Sequence, residues 1–258
     1  MSRTHGFAIA TSAVSMALLL PPMLFSPPAS AAVPARTGGN QSPQDLAAQA
    51  ERGLRNATSV RLVYEDRSAT ARSSKRLPTA MDLALDRAGN CAGTMTLGGH
   101  GGTVQIVKRG ADVWLKPDAA FWKAEYPGKR GAGLASTFSN RYIHGSTSSN
   151  LLAGIASTCD LREIQEVAKV SAPSSLKEGL ATTLNGTRVV PLSFKVNGFT
   201  STLYVTTGKD HRLYRAAQKG PDTDLSLTFT GYNVPVPKTT PPASRTVDIS
   251  RVPQPPRS

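Results

Sequence analysis

Four histidines, two cysteines and 17 carboxylates carry the widest chemical repertoire in this 258-residue chain. His5, His100, His144 and His211 share no metal-binding spacing of the H-E-x-x-H kind, so each reads as a turn or surface residue. His100-Gly101-Gly102 matches the string that forms the oxyanion hole of some esterases. No G-x-S-x-G nucleophile elbow accompanies it, and the run 98–102 reads as a permissive hairpin tip. The acidic pairs Glu65/Asp66 and Asp222/Asp224 fall at strand ends, where carboxylates are ordinarily solvated, and do not define a glycosidase pair. There is no phosphate-binding loop and no dinucleotide fingerprint. The expectation is a non-enzyme with no catalytic residue, no metal site and no cofactor.

Two cysteines are too few for a four-cysteine zinc or iron–sulfur site. Their meaning depends on compartment, which the N-terminus addresses. A short polar stretch with Arg3 precedes an apolar run, 7–20, then Pro21-Pro22, then Ala29-Ser30-Ala31. This is the order of a secretory signal peptide with an A-x-A cleavage site. The run is shorter than the ~20 residues of a spanning helix. Cleavage is expected after Ala31, the alternative being an uncleaved anchor. No cysteine stands near the site, so a lipid-modified N-terminal cysteine is not expected. Export permits disulfides, and one Cys91–Cys159 bond is the simplest outcome, two free thiols the other.

The chain carries 30 Lys+Arg against 17 Asp+Glu, a formal net charge of +13. Loss of Arg3 with the signal takes this only to +12. The cations are dispersed in small groups, Arg72/Lys75/Arg76, Lys108/Arg109 and Lys129/Arg130, with little aromatic interleaving. That excludes the basic stripe of a nucleic-acid module. A positive exterior suits an anionic membrane surface or cell-wall polymer, or serves solubility alone.

The elements that would position these residues follow from periodicity. Ser42-Pro43-Gln44-Asp45 is a helix start, and Leu46, Ala50 and Leu54 recur every four residues, predicting a helix over 43–56. A period of two then sets in. Val60, Leu62 and Tyr64 alternate with Arg61, Val63 and Glu65, and alternation continues through Leu83, Leu85, Met95, Ile106, Val113 and Leu115. Short turns at 89–90, 98–102 and 110 require an antiparallel meander. Segment 117–126 reads as a helical turn, and 127–133, rich in glycine and basic residues, as a loop. Two short helices are expected over 150–158 and 160–170. Strands return over 180–232, with Asn185-Gly186 and Asn197-Gly198 as hairpin turns. Pro191 inside a run points to an edge or a bulge. Seven prolines in 234–258 predict an extended or disordered tail rather than a packed element. Strands with segregated helices give an α+β class.

The order of these elements resembles the LolA-like superfamily, in particular actinobacterial exported proteins related to the mycobacterial LppX/LprG group. The residues carrying the likeness are Leu54-Arg55-Asn56-Ala57-Thr58-Ser59-Val60 before the first strand and the hairpin from Gly93 to Gly102. To these add the string from Val107 through Gly110 and Trp114 to Lys116, and Leu184-Asn185-Gly186-Thr187-Arg188-Val189-Val190-Pro191-Leu192. The resemblance implies a curved antiparallel half-barrel sheet whose helices cover the concave face, enclosing an apolar cavity for a lipid or other amphiphile. Expected divisions are a signal peptide 1–31, a flexible lead 32–41, one LolA-like domain 42–233 and a Pro-rich tail 234–258. The candidate cavity residues are Leu83, Leu85, Met95, Ile106 and Trp114 on strands, and Phe121, Trp122, Leu151, Leu152 and Ile155 on the cover. The alternative is an envelope-surface interaction protein that binds anionic polymer or a protein partner, with the sheet as scaffold.

Overall fold

Ser42 and Asp45 cap the first helix reciprocally. The Asp45 amide donates to the Ser42 hydroxyl at 3.1 Å, and the Ser42 amide and hydroxyl donate to the Asp45 carboxylate at 3.4 and 2.8 Å. With Pro43 in the first turn, where its missing N–H costs nothing, α1 runs Pro43–Asn56 and buries Leu46, Ala47, Ala50 and Leu54. These positions share one face at a spacing of 3.6 residues. The structure is a computed structural model and describes residues 41–167 and 173–252; the expected signal peptide 1–31 and all but the last residue of the lead 32–41 lie outside the described residues.

After α1 come β1 (Ser59–Asp66), α2 (Ala69–Ser73), β2 (Pro78–Asp86), β3 (Cys91–Leu97), β4 (Gly102–Arg109) and β5 (Asp112–Pro117). Helices α3 (Ala119–Glu125) and α4 (Lys129–Thr137) lead to β6 (Tyr142–Ser146), then α5 (Asn150–Ala156), a 3-10 turn (Ser157–Cys159) and α6 (Leu161–Val167). The chain finishes with β7 (Lys177–Glu178), β8 (Thr182–Leu184), β9 (Thr187–Val196), β10 (Phe199–Thr206), β11 (Leu213–Gly220), β12 (Thr223–Thr230) and β13 (Thr246–Asp248).

All thirteen strands belong to one curved, unclosed sheet in the order β13-β6-β5-β4-β3-β2-β1-β12-β11-β10-β9-β7, with β8 also beside β9. Two antiparallel meanders, β1–β6 and β9–β12, are joined where β12 pairs β1, with Leu62 opposite Phe229. Only β13 runs parallel to its neighbour, β6. Pro191 stands opposite the interruption between β7 and β8, and its carbonyl accepts from the Gly179 amide at 2.8 Å. Its missing N–H therefore falls where the outer pairing is already broken.

Two expectations are corrected. Segment 127–133 is not a loop: α4 covers most of it. A Cβ on Gly131 would lie 2.0 Å from the Tyr126 carbonyl oxygen, so this glycine serves close helix packing rather than a turn. The tail from 234 runs extended to 242, as expected, but it is anchored at Val236 and Val252 and forms a short strand between them. Val236 and Val252 are 5% and 3% exposed, and β13 extends the sheet edge. Residues 253–258 lie outside the described residues, as do 168–170 at the end of the expected second short helix.

The disulfide joins Cys91 on β3 to Cys159 between α5 and α6, with both cysteines buried. Gln165 of α6 is also buried and donates from its amide to the Leu54 and Ala57 carbonyls at 2.9 and 3.0 Å. These are carbonyls at the C-terminal end of α1 and its cap; that of Leu54 also accepts from the Ala57 amide at 3.1 Å. One side chain and one covalent bond thus hold the α5–α6 segment to the rest of the core.

Candidate functional site

Alternation divides the sheet into two chemically distinct faces. One face, formed by Arg61, Asp82, Thr94, Gln105, Lys116 and their neighbours, is polar. The other presents a continuous apolar row. In register from β9 to β5 it reads Leu192, Leu203, Ala216, Leu227, Tyr64, Met81, Met95, Val104 and Pro117. Such a face must be covered, since exposing it to water costs about 25 cal/mol per Å².

The cover is divided. Helix α1 lies over β10 and β11, the short α2 touches β2, and α3 and α5 lie over β4, β5 and β6. Leu203, beneath α1, and Leu192 beside it on β9 are buried; Val104, beneath α3, and Met95 beside it on β3 are also buried. Between α1 and the α3–α5 group the row is only half-buried, at Leu227, Tyr64 and Met81, with Leu97 alongside. Burial, and then the Asp66 carboxylate, to which the phenol donates at 3.3 Å, push the Tyr64 hydroxyl well above its ordinary pKa. Tyr64 is therefore a neutral donor on an otherwise apolar stripe.

Leu83, Leu85, Met95, Ile106, Phe121, Trp122 and Leu152 sit together in one buried core. Trp122 packs against Phe121, Tyr126 and Phe138 at ring-centre distances of 5.7, 6.1 and 5.2 Å. Leu151 and Ile155 lie on α5, but their side chains are outside the described residues. Trp114 is a correction. Its neighbours Val113 and Leu115 face inward, so Trp114 points to the polar outer face, stacking on His144 at 4.6 Å. The half-buried stripe of Tyr64, Met81, Leu97 and Leu227 was not among the sequence candidates. Alternation places these residues on the inner face, but nothing in one strand tells which part of that face the helices leave uncovered.

The other candidate chemistry is dispersed. His100 has φ 61° at the tip of the β3–β4 hairpin. Its flanking glycines are required by close packing: a Cβ on Gly98 would lie 1.9 Å from the Ala71 carbonyl oxygen, and one on Gly102 would lie 2.3 Å from the Phe121 nitrogen. His144 approaches Asp112 at 3.1 Å on the outer face. Among the described residues no group of three His, Cys, Asp or Glu could hold a metal ion. Also among them, no helix is long and apolar enough to cross a membrane. Three surface clefts are lined by residues other than the ten candidates.

An unclosed, mostly antiparallel sheet, apolar on one face and covered there by separate helices, has a LolA-like α+β fold. The solved structure of LprF from Mycobacterium bovis aligns with a TM-score of 0.50 at 14% identity, covering 77% of this chain and 96% of LprF. The lipoprotein LppX from Mycobacterium tuberculosis aligns with a TM-score of 0.48 at 13% identity, covering 76% of this chain and 97% of LppX. A LolA superfamily protein from Nitrosomonas europaea covers 76% of this chain and 96% of its own at 10% identity, but its TM-score of 0.24 carries no argument. At these identities the likeness is one of fold. No family model matches the chain, and no curated protein matches it in sequence.

Proposed function

We propose that this protein is an exported, non-enzymatic carrier that binds a lipid or other amphiphile against the concave face of its sheet. The observation that carries the reading is the half-buried stripe of Leu227, Tyr64, Met81 and Leu97 between α1 and the α3–α5 group. An apolar chain laid along it would complete the burial that the helices leave unfinished, and the Tyr64 hydroxyl oxygen, its proton given to Asp66, can accept one hydrogen bond from a polar end. The LolA-like architecture supports the same reading. The signal sequence 1–31, with cleavage after Ala31, supplies the route of export, and the absence of a nearby cysteine in that stretch favours a mature chain without an N-terminal lipid.

The test is to purify the protein from its source, extract it with organic solvent and analyse the extract by mass spectrometry, alongside titration with a pyrene-labelled fatty acid. A stoichiometric amphiphile and saturable probe uptake are expected. Met81→Trp, which fills the stripe, should weaken uptake by about tenfold or more, equivalent to roughly 1.4 kcal/mol. Trp114→Ala, on the opposite face, should leave it unchanged. No extracted amphiphile together with no probe uptake sinks the proposal.

A further inference from the structure

The chain after β12 crosses the polar outer face as a strap. The Ser59 hydroxyl donates to the Val234 carbonyl at 2.6 Å, and the Arg109 guanidinium donates to the Pro237 and Thr239 carbonyls before β13 joins β6. Between this strap and the outer side of β4, β5 and β6 lies a cleft of about 610 Å³. Its charged lining residues are Lys116, Arg141 and Arg245, and no Asp or Glu lines it. They come from β5, from the turn before β6 and from the 3-10 turn Ala243–Arg245, so only the folded chain brings them together.

None of the three pairs with a carboxylate among the described residues. Other outer-face cations differ. Arg61 is held by Asp82 at 2.6 Å, and Lys195 and Lys219 stand in the open at the far end of the sheet. Three like charges around a concavity repel one another and focus a positive potential into it. The Lys116 ammonium also lies 5.4 Å from the centre of the Tyr142 ring, which forms a wall together with Pro241 and Pro242. Ser139 and Ser244 add hydroxyl donors. The donor set matches a tetrahedral oxyanion, with guanidinium forks for its oxygens and an apolar wall for the group it esterifies.

We propose that this cleft binds a phosphate ester. The site lies on the opposite side of the sheet from the apolar stripe, so it stands or falls independently of amphiphile carriage. Two sources share the chemistry: a water-soluble phosphate ester and a phospholipid headgroup.

The full mature chain, isotopically labelled, would be titrated at low salt with inorganic phosphate, pyrophosphate and glucose 6-phosphate by NMR and calorimetry. Co-sedimentation with phosphatidylglycerol and phosphatidylcholine vesicles forms the second arm. Shifts should gather at Lys116, Arg141, Tyr142 and Arg245. Lys116→Gln, Arg141→Gln and Arg245→Gln should each weaken binding by roughly tenfold, the scale of one charge-assisted hydrogen bond. The double variant Lys195→Gln/Lys219→Gln should bind as the parent does. Circular dichroism of each variant confirms that it is folded. Soluble-ester binding lost in the triple variant assigns the free ester; binding of phosphatidylglycerol vesicles alone, lost in the same variant, assigns the headgroup. Binding of neither by the parent overturns the proposal, and so does binding that survives the triple variant or falls equally in the Lys195/Lys219 control.

Discussion

At the scale of single residues, burial decides which polar groups can ionise. Tyr232 donates to the Leu213 carbonyl at 2.5 Å and, like Tyr64, is pushed by burial well above the ordinary tyrosine value of 10.0. In both, the neutral phenol belongs to the folded state. The unfolded chain loses these protons first as pH rises through about 10, so the unfolded state binds fewer protons there and stability falls with increasing pH. Urea titrations between pH 9 and 12 should show this decline, and Tyr64→Phe/Tyr232→Phe should flatten it. A decline of equal steepness in the double variant would mean that other groups govern alkaline unfolding. The contrast between Trp114 and its neighbours is also a residue-scale effect. In a strand, one position separates the buried Leu115 from a tryptophan on the outer face.

Elements here are fastened more by specific ties than by their own propensity. Helices α3, α5 and α6 have seven residues each, too short to persist alone. They are held by the Cys91–Cys159 bond, by Gln165 on the end of α1 and by burial of Phe121, Trp122, Leu152 and Leu161. The disulfide spans a sequence separation of 68. Cys91→Ala/Cys159→Ala should therefore cost roughly 4 kcal/mol of stability in denaturant, the scale of the chain entropy released in the unfolded state. Because both sulfurs are buried, the native protein should also show no thiol reaction with reductant present until denaturant is added. Rapid reduction without denaturant would place the bond in a looser part of the molecule.

At the scale of the whole molecule, the strap ties the middle of the sheet, at β12 and β1, to its β13 edge. Removing residues after Asn233 keeps the contact of Asn233 with the Thr58 amide at 2.8 Å, but exposes the partners of Val236 and Val252 and deletes β13. Burial of two valine side chains is worth about 3 kcal/mol or more. The truncated protein should melt at lower temperature by a corresponding amount and lose the phosphate-ester cleft with Arg245. Unchanged melting would show that the strap contributes nothing to stability.

Most of the architecture was legible in the sequence because it is written in local patterns. The Ser42–Asp45 cap, the spacing of Leu46, Ala50 and Leu54, the period-two runs and the Asn-Gly turns each act within a few residues. The element order carried the resemblance to a LolA-like fold. Three things were settled only by packing between elements. Gly131 serves a helix contact, although its neighbourhood reads as a loop. The short strand β6 has Ile143 as its one buried residue, so it shows no alternation. Residues Thr246–Asp248 of the Pro-rich tail become a strand because β6 offers a free edge. Periodicity thus determined which side chains share a face. Which part of that face stays half-covered, and which distant cations meet in one cleft, depended on where separate elements come to rest, because those contacts join residues far apart in the chain.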